Sequence, residues 1–182
     1  VNVAALVPHK GQKHLLDAMV RVRRQVPDAQ LVIFGDGELR AALEQQVKDL
    51  ELGKHVVLAG FRDDVLALTR SADLFVMSSV TEGLGSTLLD AMAMGLAVAG
   101  TTAGGIPEAV EHGVTGLLAP PGDAGALASA IVTLLKDPAT RAAMGAAGRA
   151  RVQAEFGVDR LVDGTLAAYA ACRGSASQGT GS

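Results

Sequence analysis

The stretch Leu74-Phe75-Val76-Met77-Ser78-Ser79-Val80-Thr81-Glu82-Gly83-Leu84-Gly85-Ser86-Thr87-Leu88-Leu89-Asp90-Ala91-Met92 decides the fold. Its first four residues are continuously apolar, as in a strand buried on both faces of a sheet. Two glycines then interrupt the chain, and Leu88, Leu89 and Met92 follow on what reads as a helix. Strand, glycine loop and helix in that order make one β-α unit. Apolar runs at Val3–Val7, Gln30–Phe34, His55–Ala59, Ala97–Thr101 and Leu117–Ala119 predict further strands. Between them lie helical patterns. Leu15, Met19, Val22 and Val26 form one apolar stripe, with Arg21, Arg23 and Arg24 beside or beyond it. Leu127, Ile131, Leu134 and Leu135 form another, stopped by Lys136-Asp137-Pro138. Repeated β-α units imply an open parallel sheet with helices on both faces, a Rossmann-like three-layer α/β/α fold.

Beyond about residue 125 the strands stop, and helical patterns cover Gly125–Lys136, Ala139–Glu155 and Val158–Cys172. Residues 1–172 therefore read as one domain. Residues 173–182 are Gly/Ser-rich and read as a disordered tail. No internal repeat at solenoid periods is present. The first residue is Val1, not Met, and it opens inside an expected buried strand, so the expectation is a domain cut from a longer polypeptide.

The 182 residues are 49% apolar and 19% charged, enough for one well-packed core. Sixteen Lys and Arg against 19 Asp and Glu give a net charge of −3, without the basic excess that nucleic acid demands. Aromatics are 3% and Trp is absent, which argues against base-stacking platforms. One cysteine, Cys172, excludes a disulfide framework and a multi-cysteine metal site. No apolar run approaches the roughly 18 residues of a membrane span.

The chain carries 22 glycines, and their positions are informative. Ligands of open parallel sheets bind at the carboxyl ends of the strands, on the loops that lead into helices. In Pro8-His9-Lys10-Gly11, Gly11 permits a tight turn and sets Lys10 at that edge, where a solvated turn lysine is the plainer reading. His9 and His14 have no partner at metal-ligand spacing and read as surface residues. Phe34-Gly35-Asp36-Gly37-Glu38-Leu39-Arg40 begins like a dinucleotide fingerprint, but Arg40 stands where the last glycine belongs. It reads as turn geometry with Glu38 in the first helical turn, and no P-loop occurs elsewhere. In the opening stretch, Gly83 and Gly85 precede a helix start, whose free N–H groups and dipole suit an anion. Glu82 and Asp90 would repel that anion but can accept hydrogen bonds from hydroxyls. Phosphate and polyol together describe a nucleotide sugar. Taken singly, Glu82 is an ordinary acid near a helix start and Asp90 a solvated one. Thr101-Thr102-Ala103-Gly104-Gly105-Ile106-Pro107-Glu108 opens another helix at the same edge, with Pro107 suited to its first turn.

In order and spacing, several segments together resemble one family. They are Leu6-Val7-Pro8-His9-Lys10-Gly11, Val32 to Leu39, Ala59 to Val65, Ala72 to Val76, Glu82-Gly83-Leu84-Gly85, Gly104 to Glu108 and Gly113 to Leu118. The likeness is to the C-terminal, donor-binding domain of retaining glycosyltransferases with the two-domain GT-B architecture (group 1, or family 4), and it extends to about residue 155.

The resemblance implies transfer of a sugar from a nucleotide diphosphate donor, UDP- or GDP-linked, to an acceptor hydroxyl with retention. It implies no metal and no cofactor beyond the donor substrate. Lys10 matches the lysine that contacts the diphosphate, and Glu82 the first acid of an E-x7-E motif that contacts the transferred sugar. These two are the expected catalytic residues. Gly83, Leu84, Gly85, Ser86, Thr87 and Leu88 match the phosphate cradle, with Gly11 and Gly105 beside it. Phe61 and Arg62 match the region bordering the nucleobase. Asp90 stands where the family has a glutamate that holds the ribose, and one methylene fewer shortens its reach. Ala5 stands where the family often has an arginine clamping phosphate, and a methyl group cannot make that charge-assisted hydrogen bond.

The implied partners are the nucleotide-sugar donor, an acceptor that is a sugar, lipid or small molecule, and an N-terminal acceptor domain of the same chain. Without that domain the expectation is weak donor binding and no transfer. Cytoplasmic location, at the inner face of the membrane, is implied too. Arg21, Arg23 and Arg24 would supply a peripheral membrane contact, although a solvated helix face is the plainer reading. Two alternatives stand beside the transferase: a nucleotide-sugar epimerase of the same architecture, and a non-catalytic nucleotide-binding relic, which Ala5 and Asp90 favour.

Overall fold

The computed structural model describes residues 1–157. The helix expected over 158–172 and the tail over 173–182 lie outside the described residues.

Six parallel strands alternate with helices: β1 Asn2–Val3, α1 Gln12–Gln25, β2 Leu31–Phe34, α2 Arg40–Asp49, β3 Val56–Gly60, α3 Val65–Arg70, β4 Phe75–Met77, α4 Ser86–Ala93, β5 Val98–Thr101, α5 Ile106–Ala109, β6 Gly116–Ala119, α6 Ala124–Lys136 and α7 Pro138–Glu155. β1, β2 and β3 form one three-stranded ladder, and β4, β5 and β6 a second. The ladders meet at Val1, whose amino nitrogen donates to Leu74 O at 2.8 Å and whose carbonyl accepts from Val76 N at 2.8 Å. The strand order therefore reads β3-β2-β1-β4-β5-β6, which places the switch in winding between β1 and β4.

Burial on both faces explains the apolar runs. Leu74, Val76, Ala97 and Ala99 enter one core with Leu15, Leu16, Met19 and Val22 of α1 and Leu127 and Ile131 of α6. Their neighbours Phe75, Met77 and Val98 enter the opposite core with Leu88, Ala91 and Met92 of α4 and Ile106 of α5. Alternation along each strand thus feeds two apolar layers. α6 starts where the Asp123 side chain accepts from Ala126 N, and α7 where Asp137 accepts from Thr140 N behind Pro138.

The first strand is shorter than the expected Val3–Val7. The chain still runs beside β2, with Ala4 N donating to Phe34 O and Leu6 N to Asp36 O, but Pro8 starts a 3-10 turn that ends the extended course. Glu38 precedes α2 rather than lying in its first turn, because Gly35-Asp36-Gly37 is held against the first segment: Leu39 N donates back to Leu6 O. The glycine pair there serves a turn, as its sequence implied.

Candidate functional site

The carboxyl ends of β1, β4 and β5 converge on one charged pair. Lys10 closes the 3-10 turn after β1, and Glu82 lies in the loop between β4 and α4. Lys10 Nζ donates to Glu82 Oε1 at 2.9 Å and to Oε2 at 2.7 Å, although 72 residues separate them. Ser79 Oγ donates to the same Oε2 at 2.8 Å, and Gly83 N to Oε1 at 3.2 Å. Burial pushes the Glu82 carboxyl up. The hydrogen bonds from Lys10 and Ser79, the Lys10 charge and the Gly83 N–H outweigh it and hold the group below the usual carboxylate range. Glu82 is thus an anion held by an ammonium, a hydroxyl and an amide, its side chain only 8% exposed.

Backbone packing builds this arrangement. Gly11 has φ +66°, and a side chain there would collide with Ser78 O, so only glycine allows the Lys10 turn to rest on β4. His9 O accepts from Val80 N at 2.8 Å and Thr81 N at 3.3 Å, and Ser78 Oγ donates to Lys10 O at 2.9 Å. From β5, Thr101 Oγ1 donates to Ser79 O at 2.6 Å. Gly104, at φ +52°, lies against Glu82 O, and Gly105 N donates to Gly83 O at 3.1 Å. Gly105, expected beside the donor, thus has its N–H engaged in holding the Glu82 loop.

Gly85 caps α4 at φ +77°, and its carbonyl accepts from Leu88 N and Leu89 N. Ser86 N and Thr87 N have no hydrogen-bond partner among the described residues. These open donors at the positive end of α4 can receive an anion. The Thr87 hydroxyl donates to Val3 O at 3.1 Å and ties α4 to β1, while Leu88 is fully buried. Ser86 and Leu84 face solvent. Asp90 is exposed on α4 and touches neither Lys10 nor Glu82 by hydrogen bond or ion pair.

Phe61 and Arg62 stand apart, after β3. The Phe61 ring is 78% exposed. Arg62 forks onto Asp64 through Nε at 2.7 Å and Nη2 at 2.6 Å, an exposed pair that does not reach Glu82. Ala5 is exposed, and its carbonyl accepts from buried Gln12 Nε2 at 2.9 Å. Sequence reasoning passed over Ser78, Ser79 and Thr101. The hydroxyl doublet directly before the Glu82 loop was the available signal, but nothing local tells a binding hydroxyl from a solvated one.

Among the described residues no group of three or more His, Cys, Asp or Glu could hold a metal ion, and no helix is long and apolar enough to cross a membrane. A cavity of about 580 Å³, lined by Val1, Met19, Leu31, Leu74, Ile131 and Arg141 among others, opens at the amino ends of the strands and includes neither Lys10 nor Glu82.

Known proteins share this arrangement of the chain. The family model described as glycosyl transferases group 1 matches residues 1–151. The GDP-mannose-dependent monoacylated alpha-(1-6)-phosphatidylinositol monomannoside mannosyltransferase of Corynebacterium glutamicum is 40% identical over 158 residues, 83% of this chain and 41% of that protein. Among solved structures, Anabaena Alr3699/HepE in complex with UDP-glucose superposes with a TM-score of 0.83 at 31% identity, over 92% of this chain and 48% of that one. The C-terminal domain of the group 1 family protein LpcC from Francisella tularensis superposes with a TM-score of 0.79 at 26% identity, over 86% of this chain and 85% of that one. This chain spans less than half the length of the curated relatives it matches. With a Rossmann-like sheet, a lysine–glutamate pair at its carboxyl edge and a family match over most of its length, the chain belongs to the group 1 glycosyl transferases.

Proposed function

We propose that this chain is the donor-binding half of a retaining glycosyltransferase, taking a nucleotide diphosphate sugar and passing the sugar to an acceptor hydroxyl without a metal ion. The observation that carries the proposal is the Lys10–Glu82 pair beside the open amides of Ser86 and Thr87. An amide pair at a helix start and a nearby ammonium suit a diphosphate, and the carboxylate beside them suits sugar hydroxyls. As the bond from the anomeric carbon to the diphosphate oxygen breaks, negative charge grows on the leaving group. Lys10 Nζ and the α4 dipole would stabilise that charge where a metal otherwise would. Glu82, ionised because its donors favour the anion, would accept hydrogen bonds from the sugar and orient it.

Both GDP- and UDP-linked sugars are the donors to test, because the Corynebacterium relative is named GDP-mannose-dependent and the Anabaena structure holds UDP-glucose. A second domain of the same chain would supply the acceptor pocket, so the 182 residues alone would bind donor weakly and transfer nothing. No cofactor is required in this reading. The protein would act in the cytoplasm at the inner membrane face, with exposed Arg21 and Arg24 available to acidic lipid.

Calorimetry of this chain with UDP-, GDP- and ADP-sugars tests the proposal. Binding of one nucleotide class, weakened by Lys10→Ala, is expected. Absence of binding by every nucleotide sugar, for the wild type and for Ala5→Arg alike, overturns it.

A further inference from the structure

Ser79 is fully buried just beyond β4, 1% exposed, and a buried hydroxyl must find partners or destabilise the fold. Its hydroxyl donates to Glu82 Oε2 at 2.8 Å, and its carbonyl accepts from Thr101 Oγ1 at 2.6 Å, itself 1% exposed. The serine is therefore fixed from β5 and points its donor at one oxygen of the carboxylate. Glu82 meets its other partners differently. Lys10 approaches both oxygens from a side chain that is 21% exposed to solvent. The Gly83 N–H belongs to the same loop as Glu82 and moves with it. Among the described residues, Ser79 is the side-chain donor to Glu82 that is tied to the sheet, through Thr101 of β5.

From this geometry we infer that Ser79 is a positioning residue: its hydroxyl holds the Glu82 carboxylate in register at the carboxyl edge of the sheet when Lys10 leaves it for the donor diphosphate. The inference rests on the reading of Glu82 as the sugar contact. A carboxylate without its ammonium partner and without a fixed donor would rotate about its side chain, and sugar hydroxyls would have to order it again. With Ser79 in place, one oxygen stays bonded and the second is presented to the sugar. The same hydroxyl favours the ionised carboxyl, so its removal has a spectroscopic consequence independent of turnover.

The test uses this chain with carbon-13-labelled glutamate and follows the Glu82 carboxyl by NMR across acid pH in wild type, Ser79→Ala, Ser79→Cys and Ser79→Thr. Ala and Cys remove the strong donor in different volumes, so one informative fold suffices; Thr retains the hydroxyl. Thr115→Ala removes a likewise buried hydroxyl that accepts from Glu111 N, away from Lys10 and Glu82, and serves as the control for a merely structural loss. The expected result is a Glu82 midpoint that rises toward the ordinary carboxylate value in the Ser79→Ala or Ser79→Cys variant and stays low in the Ser79→Thr and Thr115→Ala variants. In parallel, calorimetry compares each nucleotide sugar with its nucleoside diphosphate. Ser79→Ala is expected to lose about tenfold in affinity for the sugar-bearing ligand, the effect of one hydrogen bond to a charged group, with the diphosphate unchanged. An unmoved Glu82 midpoint in Ser79→Ala or Ser79→Cys overturns the inference, and so does an equal loss for both ligands. If the midpoint moves but no nucleotide binds any variant, the donor reading falls while the hold of Ser79 on Glu82 stands.

Discussion

Gly104→Ala separates two costs that glycine avoids at this site. Gly104 has φ +52°, a left-handed backbone that costs other residues about 1–2 kcal/mol. A Cβ there would also collide with Glu82 O, and a collision with backbone cannot be relieved by turning a side chain. Overpacking of this kind costs about 1–3 kcal/mol. Gly113 offers the comparison: φ is +82°, yet nothing lies within 4 Å of the position a Cβ would take. Gly113→Ala should therefore lose only the conformational part, and Gly104→Ala about 2–5 kcal/mol in all. For a domain of this size each kcal/mol lowers Tm by about 2–4 °C, so Gly104→Ala should melt about 5–15 °C below wild type. Urea unfolding followed by circular dichroism measures both variants on one scale. Gly104→Ala should in addition displace the Glu82 loop and weaken nucleotide-sugar binding, which Gly113→Ala leaves alone. If the two variants lose equal stability, the close approach of β5's loop to Glu82 is not what requires glycine, and the account of the site fails.

Lys10→Met leaves the Glu82 carboxylate with Ser79 and Gly83 alone; stability in urea unfolding should fall by about 1–2 kcal/mol, modest because Lys10 is partly solvated. The Glu82 carboxyl is held below its ordinary value, so its stabilising effect is complete above the unfolded value near pH 4 and disappears as pH falls through the lower folded value. Wild type should accordingly exceed Glu82→Gln in stability at neutral pH, and the gap should close in strong acid; a gap that widens on acidification contradicts the assignment. Ser86→Ala should leave stability within about 0.5 kcal/mol, whereas Leu88→Ala should cost about 2–5 kcal/mol, since Leu88 is fully buried and Ser86 faces solvent. Ala5→Arg should tighten nucleotide diphosphate binding about tenfold in calorimetry by supplying a charge-assisted hydrogen bond, with little change in melting, because Ala5 is exposed.

The alternation of strands and helices was legible because each element is a local pattern. Leu74 to Met77 had to be a buried strand, and Leu15, Met19 and Val22 had to share one helical face, whatever lay elsewhere. The motifs likewise placed Lys10 and Glu82 at the same edge of the sheet. Other parts were not legible. The first strand ended at Val3 rather than Val7, because the path of Ala4 to Leu6 answers to Gly35-Asp36-Gly37, distant in the chain. That the Gly105 N–H holds Gly83 O, on a loop distant in the chain, was not visible either.

The sequence by itself determined the parallel α/β architecture, the placing of Lys10 and Glu82 on loops at its carboxyl edge, and the family. Only the tertiary structure decided that Lys10 and Glu82 clamp each other across 72 residues, that Ser79 and Thr101 lie behind the clamp, and that Gly104 is needed because a backbone oxygen lies against it. The physical reason is range. Periodicity and capping act over a few residues and are written in the order of the chain. A hydrogen bond or a close approach between two loops depends on how strands β1, β4 and β5 are registered beside one another, and packing sets that register.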